Sequence, residues 1–333
     1  MKPLFASLLL TLATVTVTGC AAVPANNIPA RPSSQYDAVV LAAKTGAPVT
    51  VQELARQLAD TDIVVIGEYH GHHASHLLQA RLQQALYRQN PAQILSMEQF
   101  NLDHQTAVDA YLAGTTGETE MLEDANAWDN YKASYRPLVE FARQHQLPVI
   151  AANAPADTVR CVGREGKAYL DRLPEAQRSA LPQQAFLDTP EYRDKFIDAI
   201  SGSHGTEQAE LSGRMLNTYQ AQLLRDNTMA HRMVEALRNR PEHQLVHTTG
   251  TFHSEQRLGT VAVLEQRAPE LDITVISPVE WPANEADMPL AKHRHKGDYL
   301  YFIQPMPREF RDPEREREAM QARFGQRTTT SCD

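Results

Sequence analysis

The stretch DIVVIGEYHGHHASHLLQARLQQALYRQNPAQILSMEQF, Asp62 to Phe100, decides how the rest of the chain is read. It opens with Ile63-Val64-Val65-Ile66, a β-branched run without polar alternation, which is the pattern of a strand buried on both faces. After a short loop, Ala74–Gln89 carries Leu78, Leu82, Ala85 and Leu86 at helical spacing. A second apolar run, Gln93–Met97, completes a strand–helix–strand unit of the length a parallel crossover requires. Three more runs, Pro148–Ala152, Leu245–Thr249 and Ile273–Ser277, are bounded by charged, proline or glycine residues and read as further buried strands. The expected fold class is α/β, with a largely parallel β-sheet flanked by helices.

Two intervals between these strands are long and helical in pattern. Asn101–Gln146 has apolar positions such as Val108, Leu112, Leu122, Leu138 and Phe141, and Pro155–Arg240 is interrupted by Pro174, Pro182, Pro190 and the segment 202–205. So much helix between consecutive strands implies a smaller inserted helical subdomain over one end of the sheet. The α/β domain with its insertions is expected over residues 35–283. In residues 284–333, the polar loop KHRHKGD precedes Tyr299–Ile303, read as an antiparallel edge strand, and a strongly charged tail from Arg308 is expected to be peripheral.

The first twenty residues, MKPLFASLLLTLATVTVTGC, run from Lys2 through an apolar stretch to small residues at Gly19-Cys20. This is the outline of a secretory signal, and the stretch is shorter than the roughly 20 apolar residues a spanning helix needs. Val17-Thr18-Gly19-Cys20 resembles the lipobox of bacterial lipoproteins, so residues 1–19 are expected to be cleaved and Cys20 lipidated, anchoring the chain to the bilayer. Ala21 is not the aspartate that retains such proteins in the inner membrane, which favours an outer-membrane lipoprotein facing the periplasm or the cell surface. Residues 20–34, rich in Pro, Asn, Ala and Ser, read as a flexible tether. The formal charge of −9 becomes −10 once Lys2 is removed, which argues against nucleic acid as a partner and for a small ligand. Cys161 and Cys332 could pair, stay buried or cross-link chains.

The chemistry collects at the strand ends. Ile63–Gly67 runs into Glu68-Tyr69-His70-Gly71-His72-His73, and His76 follows, so four of the 13 histidines fall between positions 70 and 76. In an open parallel sheet the carboxyl ends of strands line the crevice where ligands bind. The next strand ends at Met97-Glu98, and the run Leu245–Thr249 leads into Gly250-Thr251-Phe252-His253. Glu68, His70, Glu98 and His253 are therefore expected to converge, and with His76 they form a candidate donor set for a divalent metal ion. In a metal-dependent hydrolase the same Glu68, His70, Glu98 and His253 would bind metal, activate water or act as general base. His72 and His76, one helical turn apart, could share one metal. On the segment LNTYQAQLLRDNTMAHRM, the stripe Tyr219, Gln222, Asp226 and Met229 is polar where a core helix would be apolar and could line a pocket.

These residues in this order resemble the ChaN family of haem-binding, iron-regulated lipoproteins, whose superfamily includes the TIKI metalloproteases and, more distantly, erythromycin esterases. The resemblance runs from about Asp62 to Pro278. It rests on Gly67-Glu68-Tyr69-His70 with His76 and Gln79, Glu98-Gln99-Phe100 with Gln105, Trp128 with Tyr131 and Tyr135, Ala152-Asn153, Asp226 with Met229-Ala230, and Gly250 with His253. It implies an α/β domain with a small helical domain, haem held by tyrosine between the subunits of a homodimer, and a role in haem and iron uptake, with an outer-membrane haem receptor as a further partner. Ferric haem needs a flat apolar slot, an axial ligand and cations for its propionates, and a phenolate can be that ligand. The segment Trp128–Arg136 offers an indole, two phenols and two cations. Trp128, Tyr131 and Tyr135, with Tyr219, are thus the expected haem contacts. The GxxH motif of the TIKI members, which Gly67 to His70 fits, implies the metal-dependent hydrolase as the alternative.

Overall fold

Every side chain of the strand Ile63–Glu68 is buried, and alternation along a strand sends neighbouring side chains to opposite faces. Ile63 and Val65 pack with Met229, Met233, Val261 and Leu264, whereas Val64 and Ile66 pack with Leu54, Leu78 and Leu82. One strand thus knits two helical layers to a sheet between them. Each fully buried aliphatic side chain of this kind contributes about 1.5–3 kcal/mol.

The computed structural model describes residues 29–201, 211–325 and 331–332. The expected signal peptide, Cys20 and most of the expected tether lie outside the described residues. The chain divides between Ala30 and Arg31, and before that point only Pro29 and Ala30 are described, without regular structure. After it, the described strands are β1 (Val39–Ala42), β2 (Ile63–Glu68), β3 (Gln93–Asn101), β4 (Val149–Asn153), β5 (Gln244–Gly250), β6 (Ile273–Glu280) and β7 (Tyr299–Ile303). They form one sheet in the order β1-β7-β6-β2-β5-β3-β4, parallel except for the β1–β7 pair. The expected α/β class with a largely parallel sheet holds.

Helices α1 (Val51–Gln57) and α2 (His73–Gln89) pack on one face through Leu54, Leu78, Leu82 and Leu86. Between β3 and β4 lie α3 (Gln105–Leu112), α4 (Glu118–Asp124), α5 (Tyr131–Ser134) and α6 (Arg136–Gln144). Between β4 and β5 come α7 (Ala156–Glu165), α8 (Glu175–Ser179), α9 (Pro190–Ser201) and the long α10 (Gly213–Asn239), followed after β5 by α11 (Thr260–Arg267). The α7–α10 interval has apolar clusters of its own, one around Leu170, Leu181 and Leu224 and one around Tyr192, Phe196 and Tyr219. Among the described residues no helix is long and apolar enough to cross a membrane.

One expectation is corrected. Tyr299–Ile303 is not an edge strand: β7 runs parallel to β6 and is covered on its other side by β1, which is the antiparallel edge. The cause is in the run itself, since Leu300, Tyr301, Phe302 and Ile303 are all buried, as a strand covered on both faces must be. Of the outcomes left open for the two thiols, pairing with each other is the one found, with Cys161 on α7 disulfide-bonded to Cys332. A cross-link closing so long a loop typically contributes about 2–4 kcal/mol by restricting the unfolded chain.

Candidate functional site

The sheet order sets the carboxyl ends of β2, β5 and β3 side by side, with Glu68 in register with Gly250. The pairing of β3 with β4 slips between Met97 and Asn101, and the slip falls on Glu98, Gln99 and Phe100. Such irregularities re-aim side chains at the end of a strand. Asn153 at the end of β4 donates to the Glu98 carbonyl oxygen at 3.0 Å and closes the gap.

Glu68, 1 % exposed, is the hub of the first group. Its Oε1 accepts from the Tyr135 hydroxyl at 2.6 Å and from His70 Nδ1 at 2.7 Å, and its Oε2 accepts from Gln79 Nε2 at 2.6 Å. Burial pushes the pKa of this carboxyl up, but the hydrogen bond from His70, the proximity of His76 and the Tyr135 hydroxyl outweigh it and hold it below the usual carboxylate range. A relay stands behind it. The Gly71 N–H donates to His76 Nε2, whose Nδ1 therefore donates to Gln79 Oε1, and this orients the Gln79 amide toward Glu68. Burial holds His76 below its ordinary pKa, as a neutral link in such a chain should be.

The second group centres on His253, in the short turn Thr251–His253 directly after β5. Its Nδ1 lies 2.7 Å from Asp226 Oδ1, and its Nε2 lies 3.5 Å from Glu98 Oε1. Asp226, fully buried on α10, also accepts from the hydroxyls of Tyr192 at 2.6 Å and Thr260 at 2.8 Å. Burial pushes His253 down, but Asp226 and Glu98 overcome this and raise its pKa. Glu98 accepts from Thr249 Oγ1 and from the Gly250 N–H, both at 2.7 Å. Although burial acts upward on Glu98, His253, His70 and these two hydrogen bonds bring its pKa down to about 2. The turn that carries His253 is pinned from outside by Lys195 on α9, which donates to the Phe252 carbonyl at 3.1 Å.

The two groups meet at Gly250. A Cβ on this residue would lie 2.8 Å from His70 Nε2, so the imidazole sits over a backbone that only glycine leaves open. His70 is the accessible member of the site, with 46 % of its side chain exposed, and its pKa is raised because Glu68 and Glu98 outweigh its burial. Trp128, half-buried, stands edge to face with it at 5.0 Å between ring centroids. The crevice therefore presents the His70 imidazole and the Trp128 indole at its rim, with His253, held by Asp226, and the Glu98 carboxylate beneath.

The structure thus brings Glu68, His70, Glu98 and His253 together from three adjacent strand ends. His72 is placed elsewhere: it caps α2 by accepting from the Ala74 N–H at 3.1 Å, and its Nε2 contacts the Gln304 carbonyl at 2.7 Å. The tyrosines expected to touch haem lie in the core, with Tyr131, Tyr135 and Tyr219 each 2 % exposed or less. Tyr131 packs among the apolar residues beside Phe100, Tyr135 is committed to Glu68, and Tyr219 to Asp188. Burial raises all three phenol pKa values, which opposes ionisation to phenolate. The polar stripe on α10 faces the site: Gln222 Nε2 lies 3.2 Å from the His253 ring and Asp226 holds it, while Met229 belongs to the core. Tyr192 and Thr260 complete the site without any signal in their local sequence. Gly259 could have been suspected only from the close approach it permits, a Cβ there falling 2.9 Å from Asp226 Oδ1.

The donor set does not fit a metal ion. Both ring nitrogens of His76 are engaged, by Gly71 and Gln79, and three short hydrogen bonds ring the Glu68 carboxylate. Among the described residues no group of three or more His, Cys, Asp or Glu side chains is arranged to hold one. A porphyrin is better suited by the rim, where Trp128 offers apolar surface and His70 Nε2 a nitrogen beside it.

The sequence model of the family described as haem-binding uptake, Tiki superfamily, ChaN matches residues 54–264. Among solved structures, the chain is similar to ChaN of Campylobacter jejuni, whose structure describes cofacial heme binding. The two are 18 % identical over 83 % of this chain and 100 % of that one, with a TM-score of 0.61. An erythromycin esterase mutant in its open conformation is 13 % identical over 79 % of this chain and 81 % of its own, with a TM-score of 0.43. No curated protein matches by sequence. With the matched segment spanning the strands that build the crevice and the residues that line it, the chain belongs to the ChaN family of haem-binding uptake proteins in the Tiki superfamily.

Proposed function

We propose that this protein is an outer-membrane lipoprotein, anchored through Cys20, that binds haem or a related iron porphyrin at the crevice rim and serves haem and iron uptake. The observation that carries the reading is the family match over the residues that form the crevice, where the one accessible imidazole of the site stands beside an indole. The bound group would supply the iron. The chain's part is to hold the ring through Trp128 and to offer His70, whose other nitrogen Glu68 fixes. A homodimer and an outer-membrane receptor are the partners this role calls for, and the lipobox-like Val17–Cys20 supports the anchor.

The test is a haemin titration of the purified chain followed in the Soret region. Saturable binding is expected, with His70→Ala and Trp128→Ala each weaker by about tenfold, equivalent to about 1.4 kcal/mol. Absence of saturable binding by the wild type would overturn the reading. The anchor is checked by incorporation of labelled palmitate, expected for the native sequence and absent in Cys20→Ser.

A second reading is favoured by one arrangement, the paired imidazoles. Asp226 and Glu68 orient His253 and His70 as catalytic carboxylates orient a general base, with Glu98 between them. This is the equipment of an acid–base hydrolase, and Glu98, at about 2, would act as an anion that orients and charges His253 rather than as the base. Turnover of activated esters or amides, insensitive to chelators and lowered about 10²-fold by His253→Asn, is the expected sign of it. Equal rates in wild type and variant would rule it out.

A further inference from the structure

A cavity of about 420 Å³ lies away from the crevice histidines, between β1, the start of α1 and α2. Its walls are aliphatic, formed by Val39, Pro48, Val49, Leu77 and Leu78 among others, and its size is that of a small-molecule pocket. Three polar groups border it, and each has donor capacity to spare. Arg81 is exposed and makes no hydrogen bond or ion pair among the described residues. Thr50 uses its oxygen to cap α1, accepting from the Glu53 N–H at 3.2 Å, which leaves its hydroxyl proton free. Tyr36 is 60 % exposed, and its ring stacks on His73 at 5.2 Å between centroids with 17° between the planes. Among the described residues no Asp or Glu lines the cavity, although the chain as a whole carries a net charge of −9.

We infer that this cavity binds a long-chain fatty acid, with the alkyl chain among the aliphatic walls and the carboxylate at Arg81, helped by the Thr50 and Tyr36 hydroxyls. Charge complementarity selects the headgroup: a lone guanidinium in a wall free of acids favours an anion, and its planar fork matches a carboxylate. The walls select the body, because branched aliphatic side chains, with Tyr36 the one aromatic group among the described lining residues, suit a flexible alkyl chain better than a flat ring. Tyr36 and β1 lie outside the segment matched by the family and Arg81 and α2 inside it, but none of Glu68, His70, Glu98, Trp128 and His253 lines this pocket, so it is additional to the haem reading and does not depend on it.

The test is calorimetric titration of the full chain, freed of bound lipid, with octanoate, decanoate, dodecanoate and tetradecanoate. Each added methylene is expected to tighten binding by up to about fourfold until the cavity is filled. Arg81→Gln should weaken dodecanoate by about tenfold, as loss of a charge-assisted hydrogen bond does. Leu77→Trp should block it by filling the pocket from its half-buried rim. Both positions are at least partly exposed, so the variants fold, and haemin binding at the crevice should be unchanged in both. Dodecanol is the control for the headgroup and should bind about tenfold more weakly than dodecanoate. The inference is overturned if none of the acids binds, if dodecanol binds as tightly as dodecanoate, or if neither substitution alters the affinity.

Discussion

Replacing Glu68 with alanine is expected to lower the free energy of unfolding by about 4 kcal/mol, the range for leaving the partners of a buried charge behind. The carboxylate is 1 % exposed and accepts three hydrogen bonds of 2.6–2.7 Å. Its removal strands the Tyr135 hydroxyl, which has no exposed surface, and leaves the Gln79 amide, held in place by its bond to His76, with only the long contact to the Ile66 carbonyl at 3.5 Å. Each orphaned buried group costs about 1–3 kcal/mol, and the void adds to this. His70 adds little, because its ring is already half in water. Glu68→Gln preserves the shape but turns an NH₂ toward one of the donors, so a loss of about 2 kcal/mol is expected. Tyr135→Phe removes one donor and leaves the carboxylate His70, Gln79 and the longer bond from Gln99 at 3.4 Å, so about 1 kcal/mol is expected. Equilibrium urea unfolding measures all three. A Glu68→Ala variant within about 1 kcal/mol of wild type would mean that the crevice floor is hydrated and the carboxylate is no structural hub.

What the chain disclosed before folding was what local pattern can encode. Short apolar runs rich in Val and Ile located β2, β3, β4, β5 and β6, and the spacing of Leu78, Leu82 and Leu86 located α2, because burial on one or two faces leaves its pattern in the sequence. The convergence of Glu68, Glu98 and His253 was legible for a related reason. In a parallel sheet every strand delivers its last residues to the same edge, so polar residues that close apolar runs gather without any knowledge of strand order. Strand order itself is a long-range property. β7 was misplaced at an edge, although its unbroken run Tyr299-Leu300-Tyr301-Phe302-Ile303 was evidence of two covered faces, and the four-residue β1 is too short to show a period. The aromatic residues misled for a physical reason: a tyrosine four residues from another reads the same whether its hydroxyl is offered to a ligand or spent on a buried carboxylate. Tyr135 spends it on Glu68, across 67 positions of sequence, and no local pattern announces that.

Acid should unfold this protein through Glu98 more than through any surface carboxylate. Its pKa is about 2 in the folded chain against 4.5 for an ordinary glutamate. A carboxyl whose pKa is lowered by folding stabilises fully above its unfolded value and loses that contribution as pH falls toward the folded one. Between pH 6 and pH 2 the loss from this one group is about 3 kcal/mol. Glu68 is shifted in the same direction and loses its share over the acid range too. On the other side, His253 and His70 have raised pKa values. Their contribution is complete below about pH 6.5 and is lost as pH rises through the folded values. His247, fully buried and brought down to about 4 by that burial, and His76, also lowered, act the opposite way: their contribution is complete above about pH 6.5 and is lost as pH falls, so stability should begin to decline already below about pH 6.5. Glu98→Gln separates the contributions. The variant starts less stable near neutrality, since a neutral amide cannot match the charge of His253, but it should lose about 3 kcal/mol less than wild type between pH 6 and pH 2, so the two urea midpoints approach each other as acid is added. Parallel acid slopes for the two proteins would show that Glu98 titrates alike folded and unfolded, and that the anion beside His253 is not what holds these strand ends together.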